Sequence, residues 1–262
     1  FNVDWKLYAM RLEHALSNKT DFSLNLFALD AYRKSVGFRE NRVSQEDDLE
    51  APRELIVGDF NNWGAEARLL TRYNFFGKEN TVLFGGKYYQ SNNTERQGPG
   101  SNGSNANFNF EEQTYPNYPR QSDFRFPNLN LALFSENVFK FSEKFSVTPG
   151  LRFEYIKTRS RGAFKRINFD IAGNPILNED VADNRDLERS FILLGVGLSY
   201  KPHKTVELYG NISQNYRSVT FNDIRITNPS LTVDPNIKDE QGYTFDIGAR
   251  GRIKKYISYD VG

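Results

Sequence analysis

Val206-Glu207-Leu208-Tyr209-Gly210-Asn211-Ile212-Ser213 alternates without a break. Val206, Leu208, Gly210 and Ile212 fall on one face of an extended chain, and Glu207, Tyr209, Asn211 and Ser213 on the other. Successive side chains of a strand point to opposite sides, so a period of two marks a strand with one oily and one polar face. The polar row continues through Asn215 and Arg217. Just before this stretch the chain reverses tightly, at Lys201-Pro202-His203-Lys204; just after it comes a long polar excursion near residues 218–240.

That order recurs along the whole chain. Tight reversals fall at Ser17-Asn18-Lys19-Thr20, Gly77-Lys78-Glu79-Asn80, Ser142-Glu143-Lys144 and Arg252-Ile253-Lys254-Lys255, and long excursions lie near 35–58, 92–127 and 160–188. The segments between them predict ten strands, at 4–15, 22–34, 60–75, 81–91, 128–140, 146–159, 190–200, 205–217, 241–250 and 256–262. Several repeat the alternation of the first stretch. Tyr243, Phe245, Ile247 and Ala249 oppose Thr244, Asp246, Gly248 and Arg250; Val147, Pro149, Leu151, Phe153 and Tyr155 oppose Gly150, Arg152 and Glu154. Trp63, Ala65, Ala67, Leu69 and Tyr73 oppose Glu66, Arg68 and Arg72.

Such a pattern fits the half-exposed sheet of a soluble sandwich. It equally fits a barrel wall with its oily face in lipid. Two features favour the barrel. Most segments reach the roughly 9–11 residues that a tilted strand needs to cross the hydrocarbon. Short turns at one end and long loops at the other suit a wall whose ends meet different compartments. The expected fold is therefore all-β, an antiparallel meander forming part of a transmembrane β-barrel with short periplasmic turns and long extracellular loops.

Composition agrees. Aromatic residues make up 15 percent of the chain, with 22 Phe and 14 Tyr against one Met, which favours strands. The mean hydropathy of -0.64 does not count against a barrel, because only alternate residues need be apolar. No apolar run approaches the ~18 residues of a transmembrane helix. Cysteine is absent, which removes disulfides and thiolate metal sites, and the net charge of +1 gives no ground for a nucleic-acid partner. The short turns are basic and the long loops acidic overall, most clearly at Glu46-Asp47-Asp48-Leu49-Glu50.

Some strands are less clean. The apolar phase of Asn128-Leu129-Asn130-Leu131-Ala132-Leu133-Phe134-Ser135-Glu136 slips after Leu133, for which a β-bulge is one explanation. Strand 22–34 mixes its faces around Phe27, Ala28 and Leu29, and Pro149 belongs near a strand end or a bulge. The final alternation, Tyr256 to Gly262, stops before it has run its course, and no signal peptide opens the chain at Phe1. An edge left open in lipid would strand roughly ten backbone groups at several kcal/mol each. Further strands are therefore expected beyond the ten.

Strands seven to nine carry a family resemblance. Leu208-Tyr209-Gly210-Asn211-Ile212-Ser213-Gln214-Asn215-Tyr216-Arg217-Ser218-Val219-Thr220-Phe221 resembles the strand and following loop of TonB-dependent outer-membrane receptors. Asp234-Pro235-Asn236-Ile237-Lys238-Asp239-Glu240, followed by Asp246-Ile247-Gly248, is similar to their "Asn-Pro-x-Leu-x-Pro-Glu … Glu-x-Gly" pattern, departing from it at Asp234, Asp239 and Asp246. Val147-Thr148-Pro149-Gly150-Leu151-Arg152-Phe153-Glu154 resembles the recurrent "Gly-x-Arg-x-Glu" strand. The flavour is that of ferric-dicitrate and siderophore receptors. The resemblance implies a 22-stranded barrel filled by a plug, taking up a ferric chelate or another small nutrient with energy relayed by TonB. Residues 1–262 would then be part of its wall, with the plug, the TonB-contacting region and further strands outside them.

In such a receptor the ligand meets aromatic and polar groups at the loop tips. Tyr115, Tyr118, Arg120 and Arg125 in the longest loop, and Arg217, Asn222 and Arg225 after strand eight, are the candidates, since arginine pairs with carboxylates of a chelate in bidentate fashion. Ordinary loop packing is the competing role for each, and acidic loops count against an anionic ligand. The run Glu46 to Glu50 lacks the spacing of a calcium loop, and Gly98-Pro99-Gly100-Ser101-Asn102-Gly103-Ser104-Asn105 opens no helix that could cradle phosphate. Glu207, Asn211, Arg217, Arg152, Glu154, Arg68 and Arg250 are expected to face the lumen and form ion pairs or plug contacts. Catalysis at the outer rim would need a histidine there. The two histidines, His14 and His203, both fall at the short-turn end, and no cofactor or metal is expected. A small closed barrel with a structural or adhesive role, and a soluble glycan-binding sandwich, are the alternatives from other classes.

Overall fold

The computed structural model describes residues 1–38, 46–105, 107–224, 233–234, 236–253 and 256–262, without the side chains of Phe221 and Asn222. They form one antiparallel sheet. Its strands are β1 (Asn2–Ser17), β2 (Thr20–Gly37), β3 (Glu54–Phe75), β4 (Lys78–Pro99), β5 (Ser122–Lys140), β6 (Phe145–Phe169), β7 (Pro175–Ala182), β8 (Arg185–His203), β9 (Val206–Arg217), β10 (Glu240–Ile253) and β11 (Ile257–Val261). Each pairs with its neighbours in chain order, except that β8 pairs with β6 while β7 folds back on the upper part of β6 as a side hairpin. One short helix, α1 (Phe221–Ile224), interrupts the loop after β9. No second sheet covers the oily face among the described residues, so the sandwich alternative fails. The sheet is open, with β1 and β11 at its ends.

Two differences from the sequence expectation concern length and number. There are eleven strands, the additional β7 lying inside the expected excursion at 160–188. Strands β3 to β6 also run well past their expected upper ends, β6 to 25 residues. Their extensions stand above the lipid. There both faces meet water or other loops, and no force selects oily residues at alternate positions.

The registers fix which residues share a face. Leu24, Ala67, Gly86, Leu133 and Phe153 form one cross-strand row, and Ile192, Leu194, Val196 and Leu198 continue the same side on β8. This outer side carries the exposed large apolar residues, including Phe84, Leu133, Leu151, Leu194, Phe245 and Ile247. On β6 the band runs from Phe145 to Tyr155. Those ten steps cover roughly 33 Å along the strand, which a ~40° tilt reduces to roughly 25 Å, the height of a lipid-facing band. Aromatic rings mark both borders. Phe76, Phe75, Phe139, Phe141 and Phe145 run in contact along the turn end, with centroid spacings of 4.3, 6.1, 6.5 and 6.1 Å. At the other border Trp63 packs on Tyr88 at 4.9 Å.

The opposite, inner side is polar and ion-paired. Arg152 meets Glu154, Arg68 meets Glu66, and Arg250 reaches across to Glu207 at 2.9 Å, as the lumen-facing expectation required. Aromatic rings share this side, and they account for the two phase slips. Phe134 turns inward over Gly85, where a methyl group would overlap its ring, and lies beneath the guanidinium groups of Arg152 and Arg68 at 5.2 and 6.0 Å. Phe27 does the same over Gly64 and stacks on Tyr89 at 6.3 Å. A bulge after Leu133, one explanation of the slip, is therefore absent. β5 keeps one register with β4 and with β6 on both sides of that residue.

The turns show why the strands reverse where they do. Phe76 and Gly77 both have positive φ, 50° and 69°, the combination a two-residue hairpin needs to match strand twist. The β3–β4 turn thus sits slightly before the expected Gly77 to Asn80. Asn80 is buried beside it, donating to Phe75 O at 3.1 Å and Lys78 O at 2.9 Å and accepting from Lys140 N at 2.7 Å. Pro149 lies near the start of β6, where the pairing with β5 skips Asn137 and Val138. A proline has no N–H to give that ladder. The Asn137 side chain donates through Nδ2 to Tyr73 Oη at 2.7 Å.

Candidate functional site at the loop end

The long loops converge on the inner side of the extended strands. Phe124 and Phe126 on β5 and Phe164 on β6 point inward and are buried, with Val181 of β7 and Val233 of the β9–β10 loop packed against them. Val219 and Ile224 of that same loop are buried as well. The described parts of this loop therefore pack on the inner side instead of standing away from the sheet. Its apolar residues find partners there because Phe124, Phe126 and Phe164 offer an apolar patch on the upper inner wall.

Arg189 holds both ends of this loop. Its Nε and Nη2 donate to the two carboxylate oxygens of Asp239, each at 2.8 Å, a bidentate pair. Nη2 also donates to Val219 O at 3.1 Å, and Nη1 to Thr158 Oγ1 at 3.1 Å and Leu187 O at 2.9 Å. Asp239 in turn accepts from Val219 N at 2.7 Å and from the Tyr216 hydroxyl. Burial pushes the Asp239 carboxyl upward, but Arg189, Tyr216 and the Val219 N–H together hold it below its ordinary value. A second clasp lies beside the first. Asp223 accepts from Thr220 N and Oγ1, each at 2.8 Å, and from Arg217 Nη2 at 2.8 Å, while Arg217 Nη1 reaches Glu240 at 3.1 Å. Burial again works against the charge of Asp223 and is again outweighed, here by Thr220 and Arg217.

These clasps bridge a seam in the wall. β8 and β9 pair from Gly195 and Ser213 down to their turn; above that point the strands are joined by side chains. Gln214 Oε1 accepts from Leu194 N at 2.8 Å, and Phe191 packs on Tyr216 with ring centroids 3.7 Å apart.

The loop between β4 and β5 is folded on itself and against the top of β3. Gln121 is buried and donates to Tyr118 O at 2.8 Å and Pro116 O at 3.3 Å, while Tyr115 N donates to Glu111 O at 2.9 Å. Arg120 lies 3.7 Å from Glu54, which accepts from Gln97 Nε2 at 2.6 Å at the top of β3. The acidic run at Glu46 to Glu50 closes on itself, Asp48 Oδ1 accepting from Glu50 N at 3.0 Å. Among the described residues no group of three or more histidine, aspartate or glutamate side chains is placed to hold a metal ion.

The sequence-predicted site residues do not form one cluster. Tyr115, Tyr118 and Arg120 belong to the folded β4–β5 loop, and Arg217 stands at the root of the β9–β10 loop. Arg125 is part of β5 rather than of a loop and lies on the outward side, where Nε donates to Asn92 Oδ1 at 2.6 Å. Arg225 and the Asn222 side chain lie outside the described residues. Sequence reasoning missed Arg189 and Asp239. They are 50 positions apart, and no local pattern links a strand-border arginine to a loop aspartate.

A family model for the "TonB dependent receptor-like, beta-barrel" domain matches residues 1–261. The chain belongs to the TonB-dependent receptor β-barrel family. It is a family of the bacterial outer membrane, so the oily outer band of this barrel segment faces lipid. Solved structures share the fold. The ferric yersiniabactin uptake receptor FyuA from Yersinia pestis superimposes with a TM-score of 0.71 at 13% identity, over 95% of this chain and 33% of that one. The siderophore receptor PiuA from Acinetobacter baumannii gives 0.67 at 12% identity, over 95% and 38%. The ferric citrate transporter FecA, in its unliganded form, gives 0.65 at 15%, over 94% and 32%. The chain thus spans about a third of the length of these receptors. Among curated proteins none matches it in sequence.

Proposed function

We propose that this barrel segment belongs to a receptor that takes up a ferric chelate, or a similarly scarce small nutrient, across the outer membrane at the expense of energy relayed by TonB, and that it is not an enzyme. The observation carrying this reading is the inward-folded β9–β10 loop, which places Arg217, Tyr216 and the Arg189–Asp239 pair over the mouth of a polar, ion-paired inner wall. A polar, ion-paired mouth of that kind admits a polar solute, while Arg189 and Arg217 hold the loop through Asp239, Asp223 and Glu240. FyuA is a ferric yersiniabactin uptake receptor, FecA a ferric citrate transporter and PiuA a siderophore receptor, and they supply the comparison for cargo.

The deciding experiment is uptake of radiolabelled iron by cells that carry the whole receptor as their sole importer, supplied with ferric citrate or a panel of ferric siderophores. Uptake of at least one chelate that disappears when TonB is deleted is expected. TonB-independent entry, or entry of none of the chelates alongside uptake of another nutrient class, would replace the cargo assignment.

A further inference from the structure

The wall is continuous on both sides of the seam between β8 and β9 and broken at it. β6 and β8 stay paired up to Ser160 and Arg185, and β9 and β10 up to Arg217 and Glu240. The ladder between β8 and β9 nevertheless ends at Gly195 and Ser213. The break falls within the oily band, since Leu194 and Ile192, just above it, are outward and over half exposed. Backbone groups at that depth cannot turn to water, so a ladder left open there needs a cause. Continued in the same register, its next rungs would join Leu194 to Gln214, Leu193 to Asn215, Ile192 to Tyr216 and Phe191 to Arg217.

Two side chains stand where those rungs would form. Gln214 and Tyr216 continue the outward row of β9, because they pair with Tyr243 and Gln241 of β10 two and four residues before Phe245. Neither side chain points to lipid. Gln214 Oε1 takes Leu194 N at 2.8 Å, a donor that an extended ladder would give to the Gln214 carbonyl. Tyr216 lays its ring on Phe191, an inward residue opposite Glu154, and its hydroxyl donates to Asp239. A cavity of about 220 Å³ is left between the strands, lined by Phe191, Leu193, Asn215 and Tyr216 among others. An outward-row residue reaches an inward contact only when its strand leaves its neighbour. Tyr216 can keep Phe191 and Asp239, or β9 can keep pairing with β8, but not both.

We propose that the upper end of β9 is a two-position element of the wall. In the split position, present in this structure, Tyr216 is turned inward, Gln214 caps β8, and Arg189 and Asp239 clasp the loop. In the zipped position β9 closes onto β8 up to Phe191 and Arg217, Tyr216 stands outward beside Ile192, and Asp239 loses its tyrosine. Zipping gains backbone hydrogen bonds; splitting keeps a ring contact, a hydroxyl–carboxylate bond and a satisfied amide in the oily row. Opposed gains of this kind make a packed element bistable rather than continuously deformable. Whatever engages Arg189 or Asp239 at the mouth therefore biases the pairing of the wall, whichever nutrient is carried.

The test uses the whole receptor, freed of other cysteines and held in lipid vesicles, with Leu193→Cys and Asn215→Cys on one of the unformed rungs. Zipping would bring these two Cα atoms to roughly 4.5 Å, within disulfide range. Gly197→Cys with Asn211→Cys, paired in both positions, is the reference. Under a mild oxidant the reference pair is expected to close at least about tenfold faster than the 193–215 pair. Tyr216→Leu, which removes both inward attachments, and Arg189→Gln, which removes the clasp, are each expected to narrow that gap to about threefold or less. Hydrogen exchange on receptors without added cysteines gives a second reading that does not depend on the paired variants folding. Tyr216→Leu is expected to slow labelling of the peptide from Ile212 to Arg217 while labelling around Val219 speeds up. A clasp that only holds the loop would speed both. Equal closure of the two pairs in the parent, a gap unchanged by either variant, or faster labelling of both peptides would each overturn the proposal.

Discussion

Asp239 is the residue on which the vestibule turns, because Arg189, Tyr216 and Val219 all converge on its two oxygens. A charge-assisted hydrogen bond contributes about 1.5–3 kcal/mol, so Arg189→Gln should release the β9–β10 loop while leaving the sheet intact. Hydrogen exchange is expected to show faster labelling of the peptide around Val219 and Asp239, by tenfold or more, with unchanged protection in β6. Loop labelling as slow as in the parent would show that the apolar anchors Val219 and Ile224 suffice alone. The pH dependence follows from the sign of the shift. The docked carboxyl lies below its ordinary 3.8, so its contribution is fully present above that value and is lost as pH falls through the depressed one. Protection of the loop should be level from pH 7 to about 5 and should fall only in stronger acid. A loss centred near pH 6 would point to another group.

At the scale of elements, the turns and the face assignment make separate demands. Gly77 holds φ of 69° in the β3–β4 turn, and a side chain there costs about 1–2 kcal/mol. Gly77→Ala should lower the stability of the refolded barrel in urea by that amount, whereas Gly242→Ala, where an added methyl meets nothing and φ is not positive, should leave the unfolding midpoint nearly unchanged. Equal losses at both positions would mean that the hairpin turn has no special weight. Neighbouring leucines on β8 separate the two faces. Leu194 is outward and over half exposed at 57%, while Leu193 pairs with Arg152 on the inner side. Leu194→Arg is expected to cost about 2–4 kcal/mol in a bilayer, and Leu193→Arg less than half as much in the same refolding assay. A larger loss for the inward variant would reverse the assignment of faces.

For the whole molecule, the sequence was legible where lipid imposes a pattern and opaque where it does not. Val206 to Ser213 and Tyr243 to Arg250 announced their faces because one side must be oily over the full height of the membrane. Above it that demand ends. Glu54–Asp59 and Asn92–Pro99 still pair in register, yet carry polar residues on both sides, and β7, with Asn178, Glu179 and Asp180 in a row, looked like loop. Phe134 and Phe27 concealed their phase because an inward aromatic ring covers a cross-strand glycine, a partnership visible only once the register is known. The vestibule was hidden for a related reason. Its arginine and aspartate meet through folding of a loop, and only the motif around Asp239 hinted that the segment mattered. An oily exterior and a polar, ion-paired interior belong together in one barrel wall.

The absence of cysteine from residues 1–262 lets that wall be mapped one residue at a time, once any cysteine elsewhere in the receptor is replaced by serine. Single cysteines placed from Phe191 to Leu198, spin-labelled in the whole receptor in lipid vesicles, would report oxygen and nickel-chelate accessibility at each site. Ile192, Leu194, Val196 and Leu198 are expected to be rich in oxygen and shielded from nickel, and Phe191, Leu193, Gly195 and Gly197 to be poor in oxygen, giving a period of two. Accessibility that rises and falls without that period, or oxygen-rich labels at the odd positions, would contradict a barrel wall whose even side meets the bilayer.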